Sequence, residues 1–214
     1  MPTTVSTSVA ASLCQTEVGG NLLQGVVTSV HDGDTLTLTV ANTTYKIRLD
    51  SMDAPELEQP FGSLSQAALS SVVLGKTVRV AYAKTDLYGR IVGTVFTDSC
   101  QYVNLGQVQS GMAWFYRAYQ CELSANVRSQ FVQAQNAASY AHMGLWSQTN
   151  PTAPWVFRNG FDPAVPTCTS DAATVATVTS STRAVVCAQV WVKPYVRTDG
   201  TQVSGYWRNS AGCT

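Results

Sequence analysis

The sequence predicts an α+β fold, a small β-barrel of five strands closed by helices, and three features of the chain predict it. Five short segments, "GVVTSV", "TLTLTV", "TYKIRL", "KTVRVAY" and "IVGTVF", alternate apolar and polar residues or are β-branched, and turn residues separate them. Stretches of helical periodicity are interspersed with these strands and follow them. A hydrophobic content of 45% in 214 residues suffices for one core of ordinary size plus a smaller appendage. Five strands with a few helices suit the OB-fold, the commonest five-stranded barrel.

Residues 1–21 are small and polar, carry one cysteine and lack periodicity, which reads as an N-terminal arm. The barrel domain is expected over residues 22–158. Its first helix lies in "FGSLSQAALSSVVLG", where Leu64, Ala67, Ala68 and Val72 share a face and Gly75 supplies a stop. "VNLGQVQSG" predicts a short second helix. In "SANVRSQFVQAQNAASYAHMG" a third places Val127, Phe131, Ala134, Ala138 and Ala141 on one side before Gly144. Four of the eight prolines fall between Pro151 and Pro166, which reads as a linker. Its low-complexity continuation, "TCTSDAATVATVTSST", extends the linker over residues 159–186. Residues 187–214 hold two aromatic-rich runs around Asp199-Gly200, a hairpin signal, and predict an appended β-hairpin.

Formal charge balances at 13 basic against 13 acidic residues, so no global positive field announces a nucleic-acid partner and any such binding is local. No run of 18 apolar residues predicts a membrane span. The N-terminus shows neither the basic start nor the apolar run of a signal peptide, as expected of a mature or trimmed form. Six cysteines without a Cys-x-x-Cys pair, and only two histidines, argue against zinc and for disulfides. With charge at 12% of residues, this points to an oxidising compartment, secreted or periplasmic. Six cysteines allow 15 connectivities. Cys100 and Cys121 fall in loops outside the barrel strands and are expected to pair. Cys187 and Cys213 bracket the hairpin, where a bridge restrains the unfolded chain by roughly 3 kcal/mol.

Six of the thirteen acids, Asp32, Asp34, Asp50, Asp53, Glu56 and Glu58, crowd into one short stretch of a chain sparing with charge. In "HDGDTLTLTV", Asp-Gly taken alone is a turn dipeptide. It is not an EF-hand loop, because Leu36 stands where a third oxygen ligand belongs. "IRLDSMDAPE" ends a strand and turns at Ala54-Pro55, carrying Asp53 and then Glu56. If the second and third strands pair antiparallel through "ANTT", Asp34 and Asp53 converge at one barrel edge. Converging carboxylates call for a raised pKa or a bound cation, and oxygen ligands without His or Cys suit Ca²⁺ or Mg²⁺. Arg48 points away from Ile47 and Leu49 by strand alternation, and "DLYGR" delivers Arg90 after a tight turn. Two guanidinium forks beside a cation make a phosphate-binding constellation.

"VHDGDT", "IRLDSMDAPE", "DLYGR", "SGMAWFY" and "GLW", in this order and spacing, resemble the staphylococcal nuclease (thermonuclease) family over residues 22–158. The resemblance implies an OB-fold with three helices and a Ca²⁺-dependent phosphodiesterase acting on DNA and RNA with little sequence preference. It implies Asp34, Asp53 and the backbone carbonyl of Ala54 as calcium ligands, Ala54 standing where the family's namesake has Thr. Asp32 would lie near the ion through a water. By the same resemblance Glu56 would be the general base or water-positioning residue, Arg48 and Arg90 would hold the scissile phosphate, and Tyr88 and Tyr119 would lie near the nucleotide. Exchanging Glu56, Arg48 or Arg90 for Gln or Lys should cut turnover while leaving stability nearly unchanged. The segment "ELEQPFGS" between Glu56 and the first helix is shorter than in the namesake, which leaves less chain for a loop over the site. A monomer is expected. The alternative is a non-catalytic OB-fold module that binds nucleic acid or protein, and such modules lose the acids or the arginines, all of which are present here.

Overall fold

The computed structural model describes residues 21–168 and, in the tail, the strand segments 189–192, 195–196, 202–203 and 206–209. Strands β1 (Asn21–Val30), β2 (Thr35–Val40), β3 (Thr43–Leu49), β4 (Met52–Asp53), β5 (Thr77–Thr85) and β6 (Ile91–Thr97) follow one another, with helix α1 (Gly62–Val73) between β4 and β5. All but β4 close into one barrel in the order β1-β2-β3-β6-β5, the expected OB-fold. Strand alternation builds it: Leu36, Leu38, Ile47, Leu49, Val78 and Val80 point inward and are fully buried. The β3–β6 contact is parallel and the other barrel pairs are antiparallel.

Helices α2 (Val103–Gln109) and α3 (Ala125–Tyr140) complete the three expected, and α3 buries Phe131, Ala134 and Ala138 of its anticipated stripe. The hydroxyl of Ser124 caps α3 by accepting from the Val127 N–H. The buried face of α1 is rotated by one residue from the expected one. Gly62, Ser65, Leu69 and Val73 face inward, and Leu64 is exposed. Ser65 is small enough to admit the Asp32–Asp34 loop, and its hydroxyl donates to the Met112 carbonyl at 2.6 Å.

Two elements lie where none was expected. Strand β7 (Trp114–Phe115) pairs with β4, and the proline-rich stretch read as a linker opens with a fourth helix, α4 (Pro154–Asn159). Pro154 presets the first helical φ, and Gly160, at φ 78°, ends the helix in the left-handed region. Turns of 3₁₀ helix cover Arg117–Glu122 and Gly144–Ser147.

The expected Cys100–Cys121 bridge is not formed: Cys121 pairs with Cys168. Cys100 is disulfide-bonded, but not to Cys121. The reason is the path of the chain after α4, which returns to the 3₁₀ turn at Cys121, where Gln120 Nε2 donates to the Pro166 carbonyl at 2.7 Å. The bridge closes a loop with a sequence separation of 47, worth about 4 kcal/mol of unfolded-state restraint. A Cys121→Ser, Cys168→Ser double variant should lose stability of about that size in urea melts, while far-ultraviolet circular dichroism of the barrel stays unchanged.

In the tail, β8 (Gln189–Val192) pairs with β11 (Tyr206–Asn209) and β9 (Tyr195–Val196) with β10 (Gln202–Val203), all antiparallel and in one register, as a single hairpin requires. Asp199-Gly200 and the anticipated Cys187–Cys213 bridge lie outside the described residues. Among the described residues no helix is long and apolar enough to cross a membrane.

Candidate active site at the barrel edge

The antiparallel pairing of β2 with β3 sets Thr35 opposite Arg48, so the loop that opens β2 lies against the end of β3. The Leu49 N–H donates to the Asp34 carbonyl at 2.8 Å. Ser51, in the left-handed region at φ 63°, then turns the chain sharply and β4 brings Asp53 back beside Asp34. Arg48 joins the two acids: its Nε lies 3.2 Å from Asp34 Oδ1 and its Nη2 2.6 Å from Asp53 Oδ1. Its Nη1 donates to the carbonyls of Leu49 and Met52. Asp34 Oδ2 accepts the Ala54 N–H at 2.8 Å, and Asp32 Oδ1 accepts the Asp34 N–H at 2.9 Å. Asp32, Asp34, Arg48, Asp53 and Ala54 therefore come together as the strand pairing required.

Gly33 is demanded by space. A Cβ there would lie 2.6 Å from the Ala54 methyl and overlap the Ser65 hydroxyl, so only glycine lets the loop seat between β4 and α1. Gln107 Nε2, buried, donates to the Gly33 carbonyl at 3.0 Å and holds the loop from below.

Glu56 follows on the turn after β4, its N–H bound to Gln59 Oε1 at 3.0 Å. Its carboxylate meets a residue that sequence reasoning missed. Arg158 Nη1 lies 2.5 Å from Glu56 Oε1, and Arg158 Nη2 lies 2.6 Å from Asp53 Oδ2. Its helix is anchored by Trp155, whose ring packs against Trp114 and Tyr116 at centroid distances of 5.7 and 5.1 Å. Trp114 is the β7 partner of Asp53, so the helix that packs on it carries Arg158, one turn further along, to the carboxylate. The sequence "PWVFRNG" holds the start and stop of that helix, but nothing in it says what the helix packs on.

Arg90 lies at the entrance to β6, whose Ile91 pairs with Ile47 next to Arg48. It does not touch the acidic cluster; its Nε is 2.7 Å from Asp86 Oδ2, and Tyr88 lies under its guanidinium at 5.5 Å. Tyr88 is 85% exposed and Tyr119 56%, so neither is a core residue. Tyr119 holds Lys84 over its ring at 4.9 Å.

Four acids, Asp32, Asp34, Asp53 and Glu56, share two guanidiniums, Arg48 and Arg158. Burial opposes the charge on both arginines. At Arg48 the carboxylates of Asp34, Asp53 and Asp32 outweigh it, and at Arg158 those of Asp53 and Glu56 do, so both are held above the usual arginine value. Asp32 has no cationic partner of its own: burial first, and then the neighbouring Asp34 charge, push it up to about 6. The donor chemistry suits a hard divalent cation, since it consists of oxygens alone with negative charge in excess. Among the described residues no three His, Cys, Asp or Glu side chains are grouped to hold a metal.

A stability effect follows in EDTA. Asp32 binds its proton more tightly folded, at about 6, than unfolded, at 3.8, so its stabilising contribution is present at the acid end and is lost as pH rises through about 6. Asp32→Asn, which keeps the Oδ1 acceptor, should flatten that slope and stabilise the protein near neutrality by about 1–3 kcal/mol. Urea melts at mildly acid and neutral pH measure it.

The family described as staphylococcal nuclease homologue matches residues 46–148. An uncharacterised endonuclease of Escherichia coli is 38% identical over 137 residues, 64% of this chain and 86% of the relative. The chain belongs to the staphylococcal nuclease family. An uncharacterised endonuclease of Haemophilus influenzae is 40% identical over 133 residues, covering 62% of this chain and 71% of its own. A micrococcal nuclease of Shigella flexneri is 35% identical over 144 residues, covering 63% and 80%. The family-matched residues include Arg48, Asp53, Glu56 and Arg90; Asp32 and Asp34 precede them and Arg158 follows.

Proposed function

We propose that this member of the family is a Ca²⁺-dependent phosphodiesterase that hydrolyses DNA and RNA with little sequence specificity. The observation that carries the reading is the pairing of Asp34 and Asp53 through Arg48, with Glu56 attached to the same cluster. Asp34, Asp53 and the Ala54 carbonyl would hold the cation, with Asp32 reaching it through a water. Bound Ca²⁺ supplies Lewis-acid polarisation of a phosphoryl oxygen.

The chain's own residues do the rest. Glu56 accepts the proton of the attacking water as general base. Arg48 and Arg90 hold the scissile phosphate and offset the charge that builds on its oxygens, a contribution worth a factor of about 10²–10³ per group. The bond from phosphorus to the 5′-oxygen breaks and the departing oxygen takes a proton from solvent water, leaving a 3′-phosphate and a 5′-hydroxyl. Tyr88 and Tyr119, both exposed, would stack on bases or bond phosphate. The Cys121–Cys168 bridge supports a secreted or periplasmic location, and the proposed active form is a monomer.

Plasmid and RNA incubated with the protein in Ca²⁺ should be cut to small fragments, faster toward alkaline pH, and should survive in EDTA. Undiminished cutting in EDTA, or fragments with 5′-phosphate ends, would reject the reading.

A further inference from the structure

We infer that Arg158 is a third arginine of the site, the resident counter-cation of Asp53 and Glu56, which a divalent cation must displace and which then serves the substrate phosphate. The inference rests on the cation-dependent reading above. Its ground is where the guanidinium stands. The Asp53 side chain is 1% exposed and that of Arg158 is 38% exposed, so the arginine covers the acid from the solvent side. Both Asp53 oxygens meet it, Oδ2 at 2.6 Å and Oδ1 at 3.3 Å, and Glu56 Oε1 is held by the same fork. A cation approaching Asp53 from solvent therefore competes with Arg158 for the same oxygens.

Displacement would move the side chain and not its helix. Trp155 is wedged between Trp114 and Tyr116 and donates from Nε1 to Asp162 at 2.8 Å. Thr152, just ahead of the helix, accepts from Gln59 at 3.0 Å, and the Cys121–Cys168 bridge ties down the segment beyond it. Displaced from Asp53, the guanidinium stays at the site edge with Glu56 as its one carboxylate neighbour, and the arm freed from Asp53 is available to bond a phosphate oxygen.

Calorimetry of Ca²⁺ binding without nucleic acid tests the first half. A site closed by its own arginine most of the time has its apparent affinity reduced by the open fraction, so Arg158→Gln should bind Ca²⁺ about tenfold more tightly than wild type. Arg158→Lys, which keeps the charge but not the fork, should fall between. A loosened or misfolded variant would not gain affinity. At saturating Ca²⁺, Arg158→Gln should raise KM for single-stranded DNA about tenfold, as expected for loss of one charge-assisted phosphate contact, with a smaller change in kcat. Unchanged or weaker Ca²⁺ binding by Arg158→Gln overturns the competition, and an unchanged KM overturns the phosphate role. If wild type itself binds no Ca²⁺ and cuts in EDTA, the functional reading fails, and this inference fails with it.

Discussion

Replacing Arg48 by methionine should destabilise the protein by about 3–5 kcal/mol and remove nuclease turnover altogether. As a group placed for charge and not for packing, Arg48 is expected from the sequence to be exchangeable for Gln or Lys with stability nearly unchanged. Its surroundings change that expectation. Arg48 is the guanidinium shared by Asp34 and Asp53, both buried, and it also satisfies the carbonyls of Leu49 and Met52 at the turn into β4. Without it two carboxylates face one another in a poorly solvated edge, with Arg158 reaching only Asp53. The protein can respond by protonating one acid or by opening the turn, and either response dismantles the site. Urea melts in EDTA together with plasmid cleavage would measure both effects. A methionine variant as stable as wild type would show that the two acids do not depend on Arg48.

Glu56→Gln and Arg90→Lys should each lower turnover by about 10²–10³ with little change in stability. Both side chains lie at the rim, 32% and 26% exposed. The turn that carries Arg90 is held by Asp86, whose Oδ1 accepts the N–H groups of Tyr88 and Arg90, and those bonds survive the exchange to lysine. Glu56 is placed by its own backbone, through Gln59, and glutamine keeps an acceptor for Arg158 while losing the proton affinity a base needs. Steady-state rates on single-stranded DNA, beside melting curves, separate chemistry from folding. An Arg90→Lys variant with most of its activity would show that a point charge suffices there and that bidentate recognition is not used.

The site has little chain above it. α1 begins at Gly62, and the Gly62 N–H already bonds the Gln59 carbonyl, so the segment after Glu56 is taken up by a tight turn. Access to the acids is therefore limited by Arg158, which covers Asp53 from the solvent side and is the place to change substrate preference.

What could be read from the sequence was whatever local rules dictate. Period-two alternation set which residues of β2, β3, β5 and β6 face inward, and the antiparallel return through "ANTT" brought Asp34 to Asp53, because a strand pair has one short connection and one register. Helix periodicity located α1, but its face was missed by one position. Leu64 is the more hydrophobic choice, yet the site needed a residue as small as Ser65 against Gly33, and that need arises only once loop and helix meet. The cysteine partners were decided by the route of residues 154–168, since spacing alone does not distinguish Cys100 from Cys168 as the mate of Cys121. Arg158 is the clearest case. Its six-residue helix is too short to be stable by itself and forms where Trp155 finds Trp114 and Tyr116, so its presence and its direction both depend on tertiary packing. Long-range contacts of that kind leave no periodic trace in the chain, whereas the carboxylates, Asp34 immediately before β2 and Asp53 at the end of β4, carry theirs in the sequence itself.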